Sequence, residues 1–128
     1  MKLNKFFILF ISIILLIPAD HSHAQNYPNK PIKLVVPFPP GGPTDIVARP
    51  LAQMMGDSMK QSVIVENKGG AGGSVAADMV AKSPPDGYTI MMGTVGTHAI
   101  NGSLYRQLPY DMTKDFTPIA LVASAPVV

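Results

Sequence analysis

The chain has 128 residues, which is enough for one domain at most. Charged residues make up 14% of it, and the formal net charge of +2 comes without a basic run, so the composition argues against a nucleic-acid-binding protein. The absence of cysteine excludes disulfide scaffolds, thiolate zinc sites and thiol catalysis, and the 47% of hydrophobic residues argue against disorder.

The first segment has the pattern of a secretory signal peptide. Two lysines precede an apolar run over residues 6–17, which is shorter than the about 20 apolar residues that a bilayer span needs. Ser22 and Ala24 are small residues at the −3 and −1 positions of a cleavage site before Gln25. We therefore predict a removed signal peptide over residues 1–24 and an exported mature chain; an uncleaved membrane anchor is the alternative.

The mature chain begins with a strand, a loop and a helix. Residues 32–36 are mostly apolar and β-branched, as in a buried parallel strand. Prolines and glycines exclude regular structure over residues 37–43. Thr44 is predicted to cap the following helix, with Asp45 in its first turn, and Pro50 is predicted to kink that helix.

The same alternation of strands and helices continues to the end of the chain. The predicted elements are a strand at 62–65, a glycine-dense loop at 67–73, a helix that Ser74 caps, a strand at 88–92, a loop at 93–96, a weaker helix at 97–107 and a β-prone segment at 116–128. This order predicts an α/β fold with a mostly parallel sheet and helices on both faces. In such sheets the loops after the strands line the ligand crevice.

The loop after the first strand suggests a site for an anion. Gly41 and Gly42 precede Thr44 and Asp45, so free backbone N–H groups are expected at the helix start, where the helix dipole also favours negative charge. A small carboxylate fits better than a phosphate, because the loop holds no Arg or Lys. A tight turn without a ligand explains the same glycines equally well.

Polar residues near the three loops are further candidates. Asp45 is predicted either to bind a substrate amine or a bridging water, or to face solvent as an ordinary helix acid. Thr94, Thr97, His98 and Asn101 offer neutral hydrogen bonds to a polar ligand. A lone histidine such as His98 is more often structural than ligand-binding.

Three familiar motifs are incomplete in the glycine-dense loop. Residues 69–75 lack the third glycine of the dinucleotide fingerprint, and the chain contains no P-loop string. The string at 72–76 (GGSVA) resembles a nucleophile elbow but ends in alanine. Ser74 is therefore predicted to be a helix cap rather than a nucleophile.

Longer strings of the sequence carry more information than these short motifs. They are YPNKPIKLVVPFPPGGPTDIVAR at 27–49, VIVENKGGAGG at 63–73, SPPDGYT at 83–89, GTVGTHAIN at 93–101 and LPYD at 108–111. In order and spacing they resemble the Bug family, the extracytoplasmic solute receptors of tripartite tricarboxylate transporters. The resemblance covers essentially all of residues 27–128.

The resemblance implies a periplasmic binding protein with a Venus-flytrap, type II-like fold. Two α/β lobes of such a protein close on a small carboxylate, which is a dicarboxylate, a tricarboxylate, an amino acid or an aromatic acid, and deliver it to membrane permease subunits. It implies no catalysis, no cofactor and no metal. Residues 25–128 would then form an incomplete N-terminal lobe without the second lobe, so we expect the chain to be a fragment.

The resemblance also implies ligand-binding residues in this sequence, with the carboxylate held by backbone amides and waters. The first loop would cradle the carboxylate, the second would line the same pocket and the third would add polar contacts. The residues are Phe38, Pro40, Gly41, Gly42, Thr44 and Asp45 in the first set, Ala71 and Gly72 in the second, and Thr94, Thr97 and His98 in the third.

Two other functions remain open from the sequence. One is a small secreted α/β hydrolase-like enzyme that uses Ser74 or His98. The other is a periplasmic module that binds no small molecule.

Overall fold

The computed structural model describes residues 27–124. The predicted signal peptide over residues 1–24 therefore lies outside the described residues, as does the end of the β-prone segment. None of the described helices is long and apolar enough to cross a membrane.

Three parallel strands form the sheet, as the alternating pattern predicted. They are β1 (Ile32–Val36), β2 (Val63–Asn67) and β3 (Thr89–Met91), in the order β2-β1-β3. The central strand β1 is the most apolar, and four of its five side chains are buried. The last residues of β1 and β2, Val36 and Asn67, are paired in the register.

The helices cover the sheet on both faces. Helix α1 (Pro43–Met59) connects β1 to β2 and packs on both, and α2 (Ser74–Ala81) connects β2 to β3 and packs on β3 and β1. The two connections run in opposite directions across β1, so right-handed crossovers place α1 and α2 on opposite faces. A π-helical turn (Gly96–Ile100) and the short α3 (Asn101–Leu104) follow β3.

The core lies between β1 and the helices. Its main cluster joins α1 to β1 and the end of β3 through Leu34, Val36, Ala48, Ala52 and Met92. On α2, Ala76 and Ala77 are fully buried. Small residues on both helices let the helix backbones lie close to the sheet.

Glycines, rather than the predicted hydroxyl residues, occupy the N-cap positions of the two longer helices. Gly42 is the N-cap of α1 and Pro43 its first residue, whereas Thr44 lies inside the first turn and makes no capping bond. Gly73 is the N-cap of α2, and Ser74 is its first residue. The predictions for Thr44 and Ser74 as caps were wrong, because proline favours the first helical position and glycine adopts the dihedral angles at the entry to α2.

Helix α1 contains Pro50 and runs through it to Met59 as one element, and the kink at Pro50 stays a prediction. Two other predictions differ from the structure. The weak third helix ends at Leu104 rather than at residue 107. Residues 116–124 form no strand, and Leu121 is 87% exposed there; β propensity depends on packing against neighbouring strands, which this segment lacks among the described residues.

Candidate functional site

The three predicted loops meet at the carboxyl edge of the sheet. We call residues 37–42 loop one, residues 68–73 loop two, and residues 92–98, which include the start of the π-helical turn, loop three. From β1 the chain runs to β2 on one side, and from β2 it crosses back over β1 to β3 on the other side. The strand order therefore reverses beside β1. Ligands bind at such reversal points in open α/β sheets. Loop two touches both neighbours: a Cβ added to Gly73 would lie 2.6 Å from Thr97 Cγ2 and 3.0 Å from Pro37 Cβ.

Asp45 lies at the centre of a hydrogen-bond network in the first turn of α1. Its side chain is buried, so the solvent-facing alternative was wrong. Oδ2 accepts bonds from the Arg49 Nε (2.8 Å) and the Gly41 amide (2.9 Å), and Oδ1 accepts from Asn67 Nδ2 (2.9 Å). The bond from Arg49, followed by those from Gly41 and Asn67, lowers the pKa of Asp45 to about 2, so the carboxylate is ionised and bound within the chain.

The backbone amides that remain free to bind an anion are not those of Gly41 and Gly42, the glycines that suggested the site. The Gly41 amide donates to Asp45, and the Gly42 amide lies 3.4 Å from the Pro39 carbonyl oxygen. The amides of Thr44 and Asp45 donate to no other described residue, because a helix has no preceding turn to accept from its first amides. Helix α1 therefore presents its positive end through these two amides.

Loop two has an unusual backbone that exposes further amides. Every residue from Gly70 to Gly73 has a positive φ, including Ala71 at 46°. The amides of residues 69–72 make no hydrogen bond to another described residue. Buried Asn101 holds the loop in place, because its Nδ2 lies 3.1 Å from both the Gly72 carbonyl oxygen and Ser74 Oγ.

Ser74 has no nucleophilic arrangement. Its side chain is buried and its Oγ accepts a bond from Asn101 Nδ2, which is not a base. The other proposed catalytic group, His98, bonds to Thr97 rather than to Ser74. The hydrolase alternative therefore lacks its nucleophile and base pair among the described residues.

Loop three is organised around a buried threonine. Thr97 is fully buried, and its Oγ1 accepts from the Thr94 amide (2.9 Å) and lies 2.7 Å from His98 Nδ1. The Thr97 carbonyl oxygen accepts from the Tyr110 hydroxyl at 2.8 Å. Thr97 thus joins loop three to the segment that follows α3, while Thr94 and His98 are only half-buried.

The ring of His98 is held in one orientation. It packs edge-on against Phe116, with ring centroids 4.6 Å apart, and its Cε1 lies 3.0 Å from the position of a Cβ on Gly93. Burial lowers the pKa of His98 below its ordinary value of 6.5. The imidazole is therefore neutral at neutral pH and provides hydrogen-bonding groups without positive charge.

Two residues of this site were not among the predicted ligand-binding residues. Asn67 joins β2 to loop one and α1, and Tyr105 places its hydroxyl 3.1 Å from the position of a Cβ on Gly72. A polar side chain at the carboxyl end of a strand was the available signal for Asn67. No comparable signal marked Tyr105, since it reaches loop two only through tertiary packing.

Two cavities on the described residues lie elsewhere. One of about 470 Å³ is lined by residues 108–112 and Asp115. The other, of about 430 Å³, lies between the end of α1 and the start of β2. Neither is lined by loop one, two or three.

The sequence matches one protein-family profile, described as the tripartite tricarboxylate transporter family receptor (TctC), over residues 47–128. Among curated proteins, BugT of Bordetella pertussis is 43% identical over 106 residues, which are 82% of this chain and 32% of BugT. The chain spans about a third of the length of the curated relatives it matches.

Solved structures with the same fold share nearly half of their aligned residues with this chain. The periplasmic binding protein BugD has a TM-score of 0.69 and 46% identity, over 73% of this chain and 31% of BugD. MatC of Rhodopseudomonas palustris, with bound malate, has a TM-score of 0.72 and 45% identity, over 75% of this chain and 33% of MatC. Rpa4515 of R. palustris, with adipate, has a TM-score of 0.70 and 46% identity, over 72% of this chain and 31% of Rpa4515.

These likenesses confirm the predicted fold class, a partial α/β lobe of the periplasmic-binding-protein type with a parallel sheet and flanking helices. They also confirm the resemblance that the sequence strings carried, and the family consists of solute-binding receptors rather than enzymes. The chain belongs to the TctC family of tripartite tricarboxylate transporter receptors, which includes the Bug proteins.

Proposed function

We propose that this chain forms the carboxylate-binding edge of a periplasmic solute receptor. The observation that carries the proposal is the pair of unpartnered amides on Thr44 and Asp45, at the positive end of a helix of 17 residues. The amides of loop two lie at the same edge of the sheet. Two groups of unpartnered N–H donors favour a small anion that accepts several hydrogen bonds, as a carboxylate does.

The proposed ligand is a dicarboxylate. MatC is bound to malate and Rpa4515 to adipate, both of which carry two carboxylates. The cationic side chain of Arg49, in the second turn of α1, is already bonded to Asp45 and Asn67. Backbone amides therefore supply the proposed recognition of one carboxylate.

Each predicted residue has a proposed role in this site. The amides of Thr44 and Asp45 hold one carboxylate, with the rest of loop one shaping the cradle around it. Loop two forms the facing wall, and loop three supplies side-chain hydrogen bonds at the rim. The residues that complete these sets are Phe38, Pro40, Gly41 and Gly42 in loop one, Ala71 and Gly72 in loop two, and Thr94 and His98 at the rim, with Thr97 supporting them from behind.

The proposed cellular role follows from the family. The signal peptide over residues 1–24 directs the chain to the periplasm, residues 25–128 belong to one α/β lobe, and the loaded receptor delivers its solute to membrane permease subunits. Tight capture requires a second lobe that closes over the ligand.

Amide chemical shifts test the proposal directly. Malate added to the ¹⁵N-labelled chain should shift the resonances of Thr44, Asp45 and Gly72, and adipate should shift the same amides. Malamide, which replaces both carboxylates with neutral amides, is the matched control and should leave them unchanged. Shifts confined to other residues, or equal shifts with malamide, would contradict carboxylate recognition at this edge.

A further inference from the structure

The side chain of Asn67 reaches loop one from the end of β2. It is the last residue of β2 and lies opposite Val36, the last residue of β1, in the parallel register. Loop one begins at the next residue, Pro37. The Asn67 side chain is half-buried beside the start of that loop.

The hydrogen bonds of Asn67 define its orientation. Its Nδ2 donates to the Phe38 carbonyl oxygen at 3.0 Å and to Asp45 Oδ1 at 2.9 Å. Its Oδ1 accepts from Arg49 Nη2 at 3.1 Å. The nitrogen thus faces two acceptors and the oxygen faces a donor, so the reversed amide would lose all three bonds.

These bonds extend through Asp45 to the backbone of loop one. Asp45 accepts from Asn67 on one oxygen and from the Gly41 amide on the other. Asn67 therefore holds loop one at two points, directly at Phe38 and indirectly at Gly41. Both points flank the turn that leads into the unpartnered amides of α1.

We infer that Asn67 is a positioning residue that holds loop one in its ligand-binding conformation without touching the ligand. This inference rests on the proposed function and deepens it. An aspartate of the same shape would not serve at neutral pH, because its carboxylate would face the Phe38 oxygen and the Asp45 carboxylate without a proton to donate.

The substitution Asn67→Asp provides the test, with two measurements on the full chain. Hydrogen exchange of the Gly41 amide reports the position of loop one without any ligand. At neutral pH its protection relative to wild type should fall by about tenfold or more, the scale of losing a bond to a charged group. Titration with malate should show a weakening of similar size.

Lowering the pH should reverse the effect in this variant. Two carboxylates in contact share a proton at a raised pKa, and the protonated carboxyl group introduced by Asn67→Asp donates as the amide does. Gly41 protection in the variant, expressed relative to wild type at each pH, should therefore recover as the pH falls toward about 5. A general loss of stability would not produce this recovery.

Gln53→Glu is the matched control. Gln53 Nε2 donates to Asp57 Oδ1 at 3.0 Å on the exposed side of α1, so the substitution makes the same chemical change away from loop one. It should alter neither Gly41 protection nor malate binding. If Asn67→Asp behaves like Gln53→Glu, or lowers overall stability with Gly41 protection unchanged, the inference is overturned.

A double variant decides the case in which Asn67→Asp does not fold at neutral pH. In Asp45→Asn with Asn67→Asp, the donor and acceptor exchange sides and the bond between the two residues is restored. Recovery of folding together with Gly41 protection supports the inference, and recovery of folding without Gly41 protection overturns it. If wild type binds no malate, the proposed function fails, while Gly41 exchange still decides whether Asn67 positions the loop.

Discussion

Gly73 is the residue at which the three loops are packed most tightly. Its φ is +87°, and an added Cβ would meet Thr97 Cγ2 at 2.6 Å and Pro37 Cβ at 3.0 Å. Thr97 is fully buried and cannot move aside without breaking its own hydrogen bonds. Both the backbone conformation and the available space therefore require glycine here.

Gly73→Ala should destabilise the chain by about 2–5 kcal/mol, combining roughly 1–2 kcal/mol for a positive φ with about 1–3 kcal/mol for overpacking. Gly41→Ala is the control that separates the two effects. Gly41 has a φ of +80° but nothing within 4 Å of an added Cβ, so only the backbone cost of about 1–2 kcal/mol applies. Urea unfolding of both variants measures the difference, and equal midpoints would contradict the packing argument.

Asp45 makes stability depend on pH at the acid end. Its carboxylate has a pKa of about 2 in the fold, mainly through Arg49, against an ordinary value of 3.8. The unfolded chain therefore takes up this proton first as the pH falls. The contribution of the ionised Asp45 to the free energy of unfolding is complete above about pH 4 and is lost as the pH falls toward 2.

Asp45→Asn should make the loss of unfolding free energy between about pH 4 and pH 2 less steep than in wild type. Part of the slope should remain, because hydrogen bonds from Thr113 hold the pKa of Asp111 at about 2 as well. Denaturant unfolding at a series of pH values measures the slope. An unchanged slope in Asp45→Asn would show that the Asp45 network does not stabilise the fold.

Helix α1 is the element that connects the core to the site. Its buried face, at Ala48 and Ala52, packs on the sheet, and its first turn carries the Asp45 network. The opposite face exposes Ile46, Pro50 and Met54, one turn apart. The helix is thus positioned by packing along one side, which is why it continues through a proline on the other.

Pro50→Ala should stabilise the chain. Proline lacks the N–H that would donate to the Ile46 carbonyl oxygen, and it is about 3 kcal/mol less favourable than alanine inside a helix. Proline also restricts the unfolded chain, which offsets part of that difference, so we expect a gain of about 1–2 kcal/mol. Urea unfolding measures it, and a loss of stability would mean that α1 depends on the proline geometry.

On the scale of the whole molecule, two tyrosines attach segments outside the strands and helices to the rest of the fold. The Tyr27 hydroxyl donates to the Gly87 carbonyl oxygen at 2.8 Å and is exposed. The Tyr110 hydroxyl donates to the Thr97 carbonyl oxygen at the same distance but is buried. The pair offers one chemical interaction in two environments.

Tyr110→Phe should cost about 1–2 kcal/mol, because the buried carbonyl of Thr97 loses a donor that water does not readily replace. Tyr27→Phe should cost less than about 0.5 kcal/mol, since water reaches the exposed Gly87 carbonyl. Unfolding free energies of the two variants test this order. A larger loss in Tyr27→Phe would mean that the N-terminal attachment is the more important of the two.

The sequence predicted the elements of the site better than their contacts. The glycine and proline loops after each strand were recognised from local composition, and the structure brings all three to one edge of the sheet. Local composition did not show that the Gly41 amide turns inward to Asp45. That bond depends on Arg49 and on Asn67, which lies 22 residues from Asp45 along the chain.

By itself the sequence determined the order of the strands and helices, the parallel sheet and the family, because hydrophobic periodicity, turn residues and long motifs are local properties of the chain. Only the tertiary structure decided which amides stay free for an anion. The two at the start of α1 do, while the one at Gly41 is used by a buried carboxylate. The physical reason is that a backbone donor bonds to whichever acceptor folding brings within reach, and here the network around that acceptor is completed by Asn67 from a neighbouring strand.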